Sequence, residues 1–317
     1  MTTLPVEGIH HVTAITGDAQ ANVDFYTRVL GLRLNAKSVN QDDPTVYHLF
    51  YGDEVGSAGA DLTFFEYPRA IPGRPGAGMV HRVVWRVASQ EALDFWRDRF
   101  AAEGIDAHAA DGSVRFSDGE GLQHELVVNR TSDPSLIADH LEIPAEMALQ
   151  GFEGVRAYSR DPEGSYRVLE ELLGATRTGD SFELRGEQRG GWIAFDPAPS
   201  DNGNQSAGVI HHVAFGIHDD HVKRWLQELV ARRIGNSGRV DRHYFESLYF
   251  REPGGILFEL ATMGPGFTVD GPVEEFGTKV ILPPWFEQHR EVIEAQLTPL
   301  PDPRADWPAR TAVETSS

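Results

Sequence analysis

Short runs of alternating hydrophobic and polar residues are each followed by apolar residues at helical spacing, and this order recurs four times along the chain. The first run of each copy carries a related phrase. It reads Gly8, Ile9, His10, His11, Val12, Thr13, then Met79, Val80, His81, Arg82, Val83, Val84. It returns as Gly151, Phe152, Glu153, Gly154, Val155, Arg156, and as Val209, Ile210, His211, His212, Val213, Ala214. After the first phrase Asp18 can cap a helix over 19–30 that Gly31 ends. Ala92, Leu93, Trp96 and Phe100 share one helical face, as do Val168, Leu169, Leu172 and Leu173. Val222, Trp225, Leu226 and Leu229 complete the set, and all of these stripes are expected in the core. Strand-like phrases follow, at 45–51, 61–67, 181–185, 191–195 and 244–250. The unit is βαβββ, and four copies of it mean one supersecondary unit used repeatedly in an α+β fold.

In sequence order two units make each half, 7–130 and 151–264, joined by a linker over 131–150 with Pro134 and Pro144 as breakers. A C-terminal extension, 265–317, is expected to hold one helix over 284–296 and a polar, proline-rich, disordered end over 299–317.

A chain of 317 residues suffices for two real cores, and a 40% hydrophobic share suits a globular protein. No apolar run approaches a membrane span, and residues 1–7 lack a basic-then-apolar leader, so a cytoplasmic protein without a membrane partner is expected. There is no cysteine, which removes disulfides, thiolate ligands and a cysteine nucleophile. A net charge of −20 with no basic stripe argues against nucleic acid. A P-loop, a dinucleotide fingerprint and a nucleophile elbow are absent, leaving kinase, dehydrogenase and serine-hydrolase readings unsupported.

The histidines change the picture, because carboxylate phrases follow three of them at similar range. These are Phe64, Phe65, Glu66, Tyr67, then Gln123, His124, Glu125, Leu126, and Leu257, Phe258, Glu259, Leu260. One such histidine alone is more often a hydrogen-bonded structural residue than a ligand. Recurrence at matching repeat positions points instead to a metal, and two histidines with one carboxylate leave three open positions, which suits non-haem Fe(II). Pairing the twin phrases gathers His11, His212 and Glu259, with Glu66 as a candidate fourth ligand. Pairing by chain order gives His11, His81 and Glu125 in one half and Glu153, His212 and Glu259 in the other. The last set has two carboxylates and one histidine, hard and anionic for iron. Tyr47, His48, Trp85 and His124 could line a wall or fill the core.

These residues resemble the vicinal oxygen chelate superfamily, which includes glyoxalases and extradiol ring-cleaving dioxygenases. The resemblance covers about 7–300 and is most specific over 8–31, with its Leu30, Gly31, Leu32, Arg33, Leu34 exit, and over 45–54 and 242–267. Within the superfamily the chain is most similar to hydroquinone-cleaving dioxygenases, and Leu282, Pro283, Pro284 and Trp285 resemble the tail of their relatives. The resemblance implies modules paired first with fourth and second with third, as two cup-like half-barrels. It implies Fe(II), or Mn(II) or another divalent metal, acting on a hydroquinone- or catechol-like aromatic with O₂. It places the metal ligands on His11, His212 and Glu259 and pocket roles on His10, Thr13, His211, Arg242 and Tyr249. His211 or Tyr249 would handle protons, Arg242 anionic charge, and His10 and Thr13 orientation. Adjacent strand residues point to opposite faces, so His10 and His211 suit positions behind the ligands. His81, Glu125 and Glu153 would fall in the other cup. Self-association through cup edges would be ordinary for such a chain.

Two other readings remain open on the sequence. A glyoxalase-like isomerase or lyase would use four protein ligands and no O₂, with Glu66 as the fourth. A small-molecule sequestering protein would need no metal at all.

Overall fold

Each of the four phrases becomes the first strand of a module in the computed structural model, which describes residues 4–308. The first module comprises β1 (Ile9–Thr16), β2 (Arg33–Asn40), β3 (Asp43–Gly52) and β4 (Asp61–Glu66). The second has β5 (Met79–Val87), β6 (His108–Ala110), β7 (Ser113–Ser117) and β8 (Gln123–Val128). The third has β9 (Phe152–Tyr158), β10 (Thr176–Thr178), β11 (Ser181–Arg185) and β12 (Gly190–Phe195). The fourth has β13 (Ile210–Ile217), β14 (Asn236–Asp241), β15 (Phe245–Arg251) and β16 (Leu257–Pro265).

After the first strand of each module comes its helix: α1 (Ala19–Asp24), α2 (Gln90–Ala102), α3 (Pro162–Arg167) and α4 (Val222–Ala231). Asp18 caps α1, accepting from the Gln20 and Ala21 N–H groups. Both α1 and α3 widen into a π-helical turn, Phe25–Val29 and Val168–Leu172, before the chain turns back to the sheet. Ala92, Leu93, Trp96 and Phe100 are all buried, so the helical periodicity reads the core face correctly. Fully buried Trp85, Trp96 and Trp225 anchor one continuous hydrophobic cluster that runs under both sheets.

The sheets cross the sequence halves. One has the order β14-β15-β16-β13-β1-β4-β3-β2, the other β10-β11-β12-β9-β5-β8-β7-β6. The first module therefore pairs with the fourth and the second with the third, and each sequence half, 7–130 or 151–264, gives one module to each sheet. At the centre of each sheet the two first strands run antiparallel, β1 with β13 and β5 with β9. Within a module the first strand lies parallel to the last.

The C-terminal extension differs from expectation. Its helix shortens to a 3-10 turn, Glu287–His289, and α5, Arg290–Glu294. Residues 299–308, expected to be disordered, pack against the first module. Leu300 is buried, its carbonyl accepts from Lys37 Nζ at 2.9 Å, and Arg304 Nη1 pairs with Glu54 at 2.9 Å. Proline content misled here, because specific ion pairs fasten a polar segment. The remainder of that expectation, 309–317, lies outside the described residues.

Candidate metal centre

Three strands that are neighbours in the first sheet bring the predicted ligands together. His11 Nε2 lies 3.3 Å from His212 Nε2 and 3.1 Å from Glu259 Oε2, and His212 Nε2 lies 2.9 Å from that same oxygen. All three side chains are buried. Among the described residues they form the one group of three or more metal-capable side chains with mutually close donor atoms. Glu259 Oε2 is enclosed yet makes no hydrogen bond of acceptable geometry, despite the two nearby nitrogens. A buried carboxylate oxygen left without a donor costs about 1–3 kcal/mol uncompensated. A divalent ion there removes the cost, so the donor set fits a metal. Despite burial, the two imidazoles hold the Glu259 carboxyl well below its usual range, keeping it ionised as a ligand must be. Its other oxygen accepts from Ser247 Oγ.

His10 and His211 act from behind, through a departure from ideal strand geometry. The β1–β13 ladder slips by one residue on each strand, between Ile9 and His11 and where Thr13 and Ala14 face His212 and Ile210. His10 and His211 are the extra residues of these two bulges, and a bulge re-aims a side chain that would otherwise point away. His10 Nδ1 therefore meets His11 Nδ1 at 3.0 Å, and His211 Nδ1 meets His212 Nδ1 at 2.8 Å. Burial pushes both His10 and His211 down to about 3, so both are neutral. A further hydrogen bond from His10 to the Thr262 carbonyl leaves its Nδ1 as an acceptor. It follows that His11 Nδ1–H donates to His10, and the His11 Nε2 lone pair is left for the ion.

Thr13, Arg242 and Tyr249 line a narrow cavity in front of the ligands, with Phe50, Phe65 and Phe245 as aromatic walls. Its free volume is about 20 Å³, room for a water and too little for a ring. Arg242 Nε donates to the Tyr249 hydroxyl at 3.2 Å, and Arg242 Nη2 reaches the exposed Asp42 at 3.0 Å. His48, which the sequence left between wall and core, belongs to the wall. His48 Nε2 meets Thr63 Oγ1 at 3.0 Å, and Thr63 Oγ1 donates to Thr13 Oγ1 at 2.8 Å. Tyr47, Trp85 and His124 are buried packing residues.

Glu66 stands on the other face of β4 from Thr63 and Phe65. It accepts from the Ala19 N–H at the start of α1, at 3.2 Å, and is absent from the metal cluster. Register identifies what stands in its place. Glu259 pairs with Ala214, two residues beyond His212, and Thr63 pairs with Thr13, two residues beyond His11. Thr63 thus occupies the position equivalent to Glu259, and the fourth-ligand place holds a hydroxyl already engaged in hydrogen bonds.

In the second sheet the same count puts Arg82 at the His11 position and Glu125 at the Glu259 position, with His81 and Glu153 at the bulges. Arg82 Nη1 pairs with Glu125 Oε2 at 3.1 Å, and Ser113 donates to Glu125 at 2.7 Å as Ser247 does to Glu259. A guanidinium here supplies the positive charge. His81 stacks on Tyr158 at 4.0 Å and meets Asp196 at 2.9 Å, and Glu153 pairs with Arg86 at 2.6 Å. His11 and His81 lie in different sheets, so neither chain-order set is assembled.

Asp61 was not singled out by the sequence. It pairs with His11 across the sheet, is buried, and both carboxyl oxygens lack a hydrogen-bond partner among the described residues. Burial pushes its pKa up from 3.8 to about 7. A carboxyl raised in the folded state costs nothing below its unfolded value, and its penalty grows with pH until it is complete above the folded value. Asp61→Asn is therefore expected to raise the melting temperature of the metal-free protein at pH 8, by roughly 2–4 kcal/mol of stability, and to leave it unchanged near pH 4. Calorimetry at the two pH values checks this.

Comparison with known proteins places this chain among relatives. The profile of the Glyoxalase/Bleomycin resistance protein/Dioxygenase superfamily matches residues 8–140 and 151–260. The chain is 40% identical to a Bacillus subtilis (strain 168) protein provisionally named ring-cleaving dioxygenase MhqA, over 94% of this chain and 100% of that one. It is 30% identical to the chlorohydroquinone/hydroquinone 1,2-dioxygenase of Sphingobium indicum, over 89% of this chain and 93% of that one. A crystal structure of a provisionally named dioxygenase from Bacillus subtilis superposes with a TM-score of 0.87 at 36% identity, covering 94% of this chain and 98% of the other. Glyoxalase I from Zea mays shares the fold alone, with a TM-score of 0.57 at 16% identity over 80% of this chain and 92% of that one.

Proposed function

The chain belongs to the Glyoxalase/Bleomycin resistance protein/Dioxygenase superfamily, and from that premise we propose that it is a metal-dependent, ring-cleaving dioxygenase of a hydroquinone- or catechol-like aromatic. The observation that carries this reading is Thr63. With a hydroxyl where a four-ligand isomerase would have a carboxylate, His11, His212 and Glu259 remain as a three-ligand set with an open face. The identity with relatives named as ring-cleaving dioxygenases supports the same reaction class.

A bound Fe(II), or Mn(II), would be held by His11, His212 and Glu259 and would supply the redox chemistry that couples an electron-rich ring to O₂. The protein's own groups do the rest. Phe50, Phe65 and Phe245 offer flat apolar walls to an aromatic ring. Burial pushes the Tyr249 hydroxyl up, so it keeps its proton, while Arg242 donates to its oxygen. Tyr249 can therefore give a hydrogen bond, or a proton, to negative charge in the cavity, and Arg242 adds a fixed positive charge behind it. Thr13 accepts from Thr63, which leaves the Thr13 O–H free to donate into the cavity. His10 and His211 keep the ligand imidazoles in the tautomer that presents Nε2. The walls must move apart for a ring to enter, given the small free volume.

The test is oxygen uptake by iron-replete protein with a panel of hydroquinones and catechols, with ¹⁸O₂ labelling of the product. Uptake with both labelled atoms in a ring-opened acid is expected. Turnover under strict anaerobiosis would instead identify a Lewis-acid isomerase or lyase.

A further inference from the structure

Behind His211, on the side away from the metal-facing cavity, lies a second cavity of about 280 Å³. It forms where the start of β5 meets the start of β13 and the turn between β15 and β16, so both sheets contribute. Two arginines, Arg160 and Arg251, line it, and no carboxylate does. Neither guanidinium has an ion-pair partner among the described residues, although the chain carries 48 acidic residues against 28 basic ones. Each is steered by a backbone carbonyl instead. Arg160 Nε donates to Ala77 at 2.9 Å, and Arg251 Nη1 to Gly255 at 2.6 Å. The remaining N–H groups of both make no hydrogen bond among the described residues.

The wall is shaped to let Arg160 lie there. A Cβ on Gly78 would come within 3.1 Å of Arg160 Nε and 3.0 Å of the Gly254 carbonyl, and one on Gly255 within 3.1 Å of the Gly78 Cα. Gln205 adds an amide beside His211. In an acidic protein, two unpaired guanidiniums around an acid-free cavity make a local positive field, and planar guanidinium forks match oxyanions.

We propose that this cavity binds a small oxyanion, a carboxylate or phosphate, between Arg160 and Arg251 and against His211. The His211–His212 contact of 2.8 Å sets the site one imidazole away from the candidate metal centre. A ring-opened acid and a free phosphate offer the same chemistry, and the probes distinguish them.

The experiment is calorimetric titration of the full-length protein with cis,cis-muconate, a six-carbon dicarboxylate, and separately with inorganic phosphate. Saturable binding of at least one probe is expected, weakened about tenfold or more in Arg160→Gln/Arg251→Gln, with melting temperature and metal content of that variant unchanged. Tighter binding of the dicarboxylate assigns the site to a ring-opened acid, and tighter phosphate to an inorganic effector. The titration is repeated after chelator treatment, so that its result does not depend on the reaction assigned above. Absence of binding by the wild type, an unchanged affinity in the double variant, or binding that vanishes with the metal would each overturn the proposal.

Discussion

Glu259→Ala is expected to strip the protein of its divalent ion and of turnover, with kcat/KM falling by more than about 100-fold, since even groups behind metal ligands cost 10–100-fold when lost. His11→Ala and His212→Ala should behave alike, because the three donor atoms lie within 3.3 Å of one another. His81→Ala is the contrast. His81 belongs to the second sheet and stacks on Tyr158, so this variant should keep its metal and most of its activity. Metal analysis of anaerobically purified proteins reads the outcome directly. Metal retained in Glu259→Ala but lost in His81→Ala would move the site to the other sheet.

Thr63→Glu is expected to tighten metal binding and suppress oxygen-dependent turnover. The register places Thr63 opposite Thr13 as Glu259 is opposite Ala214, so a glutamate there faces the ligands as a fourth donor. An extra carboxylate raises the affinity for a divalent cation and fills a position that O₂ or substrate needs. The expected change is about tenfold or more in metal affinity with a loss of about 100-fold or more in oxygen uptake. Thr63→Val separates this effect from the loss of the hydroxyl, since it breaks the hydrogen bonds to His48 and Thr13 without adding a ligand. Equal uptake by Thr63→Glu and the wild type would show that this position lies outside the coordination sphere.

The repeat made most of this legible from the amino acids. Twin phrases around His11 and His212 announced the pairing of first and fourth modules, because strands that share a sheet centre share its constraints. The two points the sequence left open, Glu66 and His81, turn on register, whereas the packing of 299–308 was hidden by its proline content. Glu66 sits in a phrase like that of Glu259, yet three residues beyond the equivalent position Thr63, and an odd number of steps turns a side chain to the opposite face. His81 looked like the counterpart of His11 because the phrases align by eye on histidine. The ladder aligns it with His10 instead, and Arg82 with His11. Loops of unequal length between the strands hide this from any count along the chain. Bulges were equally invisible, and they decide what His10 and His211 touch. Asp61 and Thr63 gave no signal, since an acid or a threonine on a strand is unremarkable until its neighbours across the sheet are known.

The candidate ligands span from β1, opening at Ile9, to β16, closing at Pro265. A chain emerging from its N-terminus thus carries His11 without the partners that would make it a ligand until some five-sixths of its length has been synthesised. Its long-range pairing must wait as well, so a site formed by these three side chains can assemble only once β16 has been made. A product that stops before β13 would leave one edge of β1 unpaired and would lack two of the three candidate ligands.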